Sequence, residues 1–229
     1  MDLLTAEEWT ALTLSLRIAF WATAASLVPG ILVALVLARG RFPGHGLLNA
    51  IVHLPLVLPP VVTGWLLLVS FGRRGPAGQA LEACCGIVLS FRWTGAALAA
   101  AVMAFPLLVR AVRLSIEAVD HGLEEAAGTL GASPAWVFLT VTLPLAWPGV
   151  LAGAVLAFAK ALGEFGATIT FVSSIPGETQ TLAAAIYGYT QVPGGDGPAL
   201  RLVVIAVVVS MAALVASEML ARRMRARRP

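Results

Sequence analysis

Five long apolar stretches, at about residues 11–38, 47–71, 93–112, 145–167 and 199–221, are separated by polar or glycine-rich segments. Each is at or above the roughly 20 residues that carry an α-helix across a bilayer core. The apolar residues run on without the period-two alternation of a barrel strand. The pattern therefore predicts an all-α polytopic membrane protein, one transmembrane body over residues 1–229 with about five transmembrane helices (six possible). The second stretch holds no acidic or basic residue except His53, and the first contains Arg17 and the pair Pro29-Gly30.

Two polar segments stand out between the spans, 117–144 and 168–198. In the latter, Phe171, Ile175, Leu182 and Ile186 are apolar, but Gly177, Pro193, Gly194, Gly195 and Pro198 interrupt them. An external loop with a short helix near Thr181–Thr190 is expected. The alternative is a re-entrant segment, which needs protein or a water-filled cavity around it. A sixth full crossing would place the N-terminus inside.

Composition agrees with the pattern: 59% of residues are hydrophobic and 12% charged, too few charges for a soluble surface. The start, Met1 to Glu8, lacks the basic region of a signal peptide, so the first span should be retained. Arg222, Arg223, Arg225, Arg227 and Arg228 crowd the C-terminal tail and predict that it is cytoplasmic. Counting back through five spans puts Arg39, Arg41 and the segment after Arg110 inside, and the acidic N-terminus outside. Arg73 and Arg74 then lie outside, against the rule, and the tail outweighs them. Cys84 and Cys85 are adjacent, which bridges poorly, and match no zinc spacing.

Segment 117–144 carries its own helix signals. Asp120 can cap a helix through Glu124–Ala127, Gly128 and Gly131 end it, and Ser133-Pro134 can start a second. Leu143-Pro144 predicts a bend into the fourth span. A short helix–turn–helix along the membrane surface results, and an amphipathic connector between two spans fits that pattern as well.

The same segment resembles the "EAA" loop of ABC importer permeases. Glu125, Ala126, Ala127, Gly131, Val141, Leu143 and Pro144 fill that frame without a gap. The resemblance implies a cytoplasmic coupling loop that docks into a cleft of a separate ATPase, with Glu125 in polar contact and Gly131 allowing the turn. The chain has no nucleotide loop of its own. Its only lysine, Lys160, lies in Ala-Phe-Ala-Lys-Ala with no glycine loop and no following hydroxyl. No cofactor or metal site is expected, because His45, His53 and His121 form no recognisable cluster. ATP would be used by the partner.

Further features bear on a pathway. Pro29, Pro55, Pro59, Pro60, Pro106 and Pro148 lie in or beside apolar runs, where freed carbonyls suit a cavity-lining bundle. Gly149, Gly153, Ala157 and Ala161, and also Ala96, Ala100 and Ala104, recur at four-residue steps as helix-packing stripes. Lys160 and Glu164 should share a helix face near the outer end of span four. A self-satisfied ion pair and a pore-lining role fit them equally, since Thr168, Thr170, Gly163 and Gly166 adjoin them.

Three stretches narrow the resemblance: His53–Val62, Gly163–Phe171 and Ser174–Thr181. Together with the loop they are similar to the molybdate permeases of ABC importers across nearly the whole chain, with sulfate and tungstate permeases as relatives. That resemblance implies a multi-pass protein of the bacterial cytoplasmic membrane, working as two copies with two ATPase subunits and an external molybdate-binding protein. No nucleic-acid partner is expected. An intramembrane enzyme lacks any paired carboxylate or nucleophile–base set, and a free anion channel has no need of an ATPase-docking loop.

Overall fold

A capping box opens the first helix, α1 (Ala6–Arg39): the Thr5 hydroxyl accepts the Glu8 N–H, and the Glu8 carboxylate accepts the Thr5 N–H. The structure, a computed structural model, describes residues 4–225. Asp2, Arg227 and Arg228, used above for orientation, lie outside the described residues. Beyond α1 follow α2 (His45–Val57), α3 (Pro60–Phe71), α4 (Pro76–Cys85), α5 (Trp93–Glu117), α6 (His121–Thr129) and α7 (Pro134–Val137). A π-helical turn (Phe138–Thr142) leads into α8 (Leu143–Leu162), α9 (Gly166–Val172), α10 (Leu182–Thr190) and α11 (Asp196–Arg225). The described regular structure is all helical, as the apolar pattern predicts.

Helices α1, α5 and α8 form the central bundle. Ala96, Ala99, Ala100 and Ala104 of α5 are sealed from solvent, and with Leu108, Val109 and Val112 they make the core. The α8 stripe faces α5 within the same chain. A Cβ on Gly153 would sit 3.1 Å from Leu108 Cδ1 and 3.2 Å from Ala111 Cβ, and one on Gly149 would collide with the Ser115 side chain. Small residues here let two backbones approach, and dispersion contacts replace the missing hydrophobic drive in lipid. Gly149→Val should therefore lower the melting temperature of the purified protein, costing on the order of 2 kcal/mol by overpacking. Gly163→Ala, with nothing closer than 3.9 Å, should not, and equal melting of the two variants would contradict this packing.

Three sequence expectations change. The stretch 47–71 is not one straight span: α2 and α3 meet at a 113° bend. The cause is Pro59-Pro60, which removes two N–H donors and forces Leu58 into extended backbone (φ −70°, ψ 142°). Among the described residues four helical stretches are long and apolar enough to cross a membrane, or five if this bent pair counts as one. Second, Leu143-Pro144 does not break the helix. The Leu143 N–H reaches back to the Phe138 carbonyl, and this wide turn accommodates the proline, so Pro134–Leu162 reads as one 29-residue span.

Third, residues 168–198 are largely helical rather than loop. The fourth span stops at Leu162, and α9 turns back to pack on α3 and α5, with Phe171 and Val172 fully buried. Gly64 of α3 permits that contact: a Cβ there would lie 2.5 Å from the Ala167 carbonyl oxygen. Thr179 builds the following turn, accepting the Ile175 N–H and donating to the Ser173 carbonyl. The short helix expected near Thr181–Thr190 is α10, capped by Thr181 through the Ala184 N–H. It joins the ends of α1 and α11 through Leu12, Leu182 and Leu202, the Ser15–Leu182 bond and the Glu8–Arg201 ion pair.

Candidate functional site

Local sequence fixes the loop between α5 and α8. Asp120 accepts the Gly122 N–H at 2.8 Å and starts α6. Gly131 ends the turn at φ +87°, a left-handed conformation that glycine adopts without strain. Ser133 accepts the Trp136 N–H and opens α7 with Pro134 at its first turn. The two acidic residues of α6 then part company. Glu124 turns inward, where Arg39 Nη2 lies 3.1 Å from its Oε1 and the Thr142 hydroxyl donates to the same oxygen at 2.6 Å. Glu125 is exposed, as is Ala126, and Ala127 is half-buried. Leu130 and Trp136, 89% and 61% exposed, add apolar surface on the same loop.

Arg39 is the hub of this region. It also donates to the carbonyls of Ile116 (3.0 Å) and Val119 (3.1 Å), closing the end of α5, and lies 3.0 Å from His121 Nε2. One guanidinium thus binds α1, α5 and α6 together, and Thr142 carries the link to α8. Charge-assisted bonds of this kind are about twice as strong as neutral ones. α6 is thus tied to three long helices rather than hung on a slack loop. Leu143 continues α8 half-buried and Pro144 sits in its first turn.

A second constellation lies where two helix breaks meet. Pro60, at the start of α3, lies against Gly166, at the start of α9: a Cβ on Gly166 would be 2.7 Å from the Pro60 Cβ. Pro59 and Pro60 are exposed. Glu164 fills the gap between α8 and α9 and is 2% exposed. It pairs with Lys160 Nζ at 2.6 Å and accepts the Ala167 N–H at 3.0 Å. The expected shared helix face is corrected here: α8 ends at Leu162, so Lys160 reaches forward from its last turn to a carboxylate beyond the helix. Thr168 and Thr170 do not offer free hydroxyls, since each donates to a backbone carbonyl, of Phe165 and Gly166. Arg17, a basic residue within the first apolar run, stacks on Trp93 at 3.8 Å.

The sequence named Glu125, Ala126, Ala127, Gly131, Leu143 and Pro144, and the structure sets them on one loop and its continuation. It missed Arg39, Glu124 and Thr142. A lone arginine ending an apolar run and a doubled Glu-Glu were the available signals, with nothing local to join them. Within the expected external loop, the turn around Gly177–Gln180 keeps Gly177 exposed but buries Thr179.

A family model described as "binding-protein-dependent transport system inner membrane component" matches residues 27–226. The molybdenum transport system permease protein ModB of Escherichia coli (strain K12) is 56% identical, with 98% of each chain covered. That of Haemophilus influenzae is 54% identical, covering 95% of each. A sulfate transport system permease, CysW of Synechococcus elongatus, is 42% identical over 67% of this chain and 53% of its own. Among solved structures, the inward-facing MetNI methionine ABC transporter shares the fold at TM-score 0.70 and 18% identity, covering 94% and 93% of the two chains. A bacterial ABC transporter for alginate import does so at TM-score 0.73 and 16% identity, covering 96% and 80%. The chain belongs to the family of inner membrane components of binding-protein-dependent transport systems.

Proposed function

We propose that this chain is the membrane subunit of an ABC importer that carries molybdate into the bacterial cytoplasm. The observation that carries this reading is the 56% identity, over nearly its full length, to a molybdenum transport permease. Two copies would form one axial pathway beside two copies of a cytoplasmic ATPase, fed by an external molybdate-binding protein. ATP is bound and hydrolysed by the partner.

In this reading the loop over 117–144 faces the cytoplasm and the tail after α11 lies on the same side. Glu125, Ala126 and the exposed Leu130 and Trp136 meet the ATPase. Glu124, through Arg39 and Thr142, moves α1, α5 and α8 with it. The pathway runs by the paired breaks, where Pro59, Pro60, Lys160, Glu164, Thr168 and Thr170 gather. Moving even a single charge into low dielectric costs on the order of 20 kcal/mol in the idealised limit. Lys160 is committed to Glu164, so the chain offers no tight cage for a dianion. A hydrated passage results, with selectivity set by the binding protein.

Uptake by the reconstituted complex tests this. Molybdate should be taken up only with the binding protein present, and sulfate should compete poorly. Saturable molybdate uptake without that protein would overturn the division of labour, and preferred sulfate uptake would move the chain to the sulfate branch.

A further inference from the structure

The segment Glu82-Ala83-Cys84-Cys85-Gly86 ends α4, apart from every stretch long and apolar enough to cross a membrane. Gly86 closes the helix at φ +65°, its N–H donating to the Glu82 and Leu81 carbonyls in a left-handed cap. The chain leaves α4 there, and both cysteines are exposed at its tip. Their sulfurs lie 2.9 Å apart, in hydrogen-bond contact. The Cys84 thiol also donates to the Leu81 carbonyl at 3.8 Å. The hydrogen bond to Cys84 holds the Cys85 thiol above its usual range, so it meets a ligand as S–H rather than as thiolate.

A direct bond between the two sulfurs does not suit this geometry. Consecutive Cα atoms are about 3.8 Å apart, whereas a disulfide needs roughly 4.4–6.8 Å. One atom placed between the sulfurs enlarges the ring and removes that conflict. With sulfur bonds of about 2.3 Å, a linear ion spreads the two thiolates to about 4.6 Å and a tetrahedral one to about 3.8 Å. A pyramidal centre, whose lone pair closes its angles to about 90°, needs about 3.3 Å at the same bond length, nearest to the spacing present. Ligand number decides the same way. Structural zinc takes four protein ligands, and among the described residues no histidine, carboxylate or further cysteine joins the pair. A trivalent metalloid needs only two sulfurs and one group that it carries itself.

We propose that Cys84 and Cys85 form a dithiol site for trivalent arsenic, taken as an organoarsenical hydroxide or as arsenite. The step is a condensation without oxidation or reduction. Two S–H bonds and two As–O bonds break, two As–S bonds form, and each thiol proton leaves with a hydroxide as water. The third substituent on arsenic stays in place. Arsenate, a tetrahedral pentavalent centre, would first need a reductant and is not a ligand here. Because the sulfurs belong to adjacent residues, the second As–S bond closes within the molecule, and the pair outcompetes single thiols in solution.

The test is intact-mass measurement of the full chain, purified with its ATPase, reduced with a phosphine, freed of it, and mixed with phenylarsine oxide. One arsenic per chain should be held through desalting. An excess of ethanedithiol should strip it, and the same excess of mercaptoethanol should not. Cys84→Ser and Cys85→Ser should each weaken retention about a hundredfold or more at an unchanged melting temperature. Should either variant melt early, alkylating the wild-type chain with N-ethylmaleimide beforehand should block loading as completely. Zinc offered under the same conditions should be lost on desalting. Arsenic released by the monothiol, held equally by a single-cysteine variant or the alkylated chain, or never taken up by the reduced wild type would overturn the proposal. Zinc held through desalting would do the same. Mass is read without transport, so failure of the molybdate reading would leave this result standing.

Discussion

Gly131→Pro should abolish coupled transport while the helical bundle remains folded. Proline holds φ near −65°, and Gly131 sits at +87°. The substitution also removes the Gly131 N–H that donates to the Gly128 carbonyl at 2.9 Å. Distortion should cost on the order of 3 kcal/mol, and it falls on an exposed turn rather than on the α1–α5–α8 core. Glu125→Lys should act at the same step by reversing an exposed charge in the proposed ATPase contact, lowering co-purification of that subunit by about tenfold or more. Glu124→Gln should differ: the ATPase stays bound, but hydrolysis no longer drives uptake, because the Arg39 link is weakened. Pull-down, uptake and melting curves together separate these outcomes. Wild-type co-purification and uptake for both Gly131→Pro and Glu125→Lys would remove the docking assignment.

Lys160→Met should be more harmful than Glu164→Gln, although both break one ion pair. The Glu164 side chain is 2% exposed and that of Lys160 32%. Losing the lysine strands a buried carboxylate; losing the carboxylate leaves an ammonium that can still reach water. Breaking a fully buried pair costs about 3–5 kcal/mol, and the exposure of Lys160 places the glutamate change well below that range. Glutamine can also still accept the Ala167 N–H, which preserves the start of α9. The double variant should recover part of the stability lost in Lys160→Met, a coupling that a double-mutant cycle of melting temperatures measures. If Lys160 also meets the passing anion, the uptake rate should fall in the double variant even where stability returns. Equal destabilisation by the two single changes would show that the burial difference has no energetic consequence.

What the sequence made legible was mostly local. Asp120, Gly131, Ser133 and Thr181 act through neighbours two or three residues away, so their caps and turns can be read along the chain. Pro59-Pro60 announced a disturbance, but the packing of α9 against Gly64 beside the bend is a contact more than 100 residues distant. Residues 168–172 read as the start of an external loop, yet both threonine hydroxyls are satisfied by their own backbone, and Thr168, Phe171 and Val172 are buried. The Arg39–Glu124 contact spans 85 positions and has no local signature. The helix–turn–helix of 117–144 was legible along the chain, and its attachment to the bundle was not.

The wide turn at Phe138–Thr142 has a consequence for phase. An α-helix advances about 100° per residue, so a π turn acts as a one-residue insertion that has been absorbed without breaking the rod. Everything before it, including Trp136 and the start of α7, is out of step by that amount with everything after it. Deleting one residue from the turn would restore an unbroken spiral and swing the two halves about 100° against each other. Thr142 could not then face Glu124 while Gly149 and Gly153 stay on α5. The turn thus works as a vernier: it lets the loop-facing end and the bundle-facing end of one continuous helix each keep the azimuth its own neighbours require.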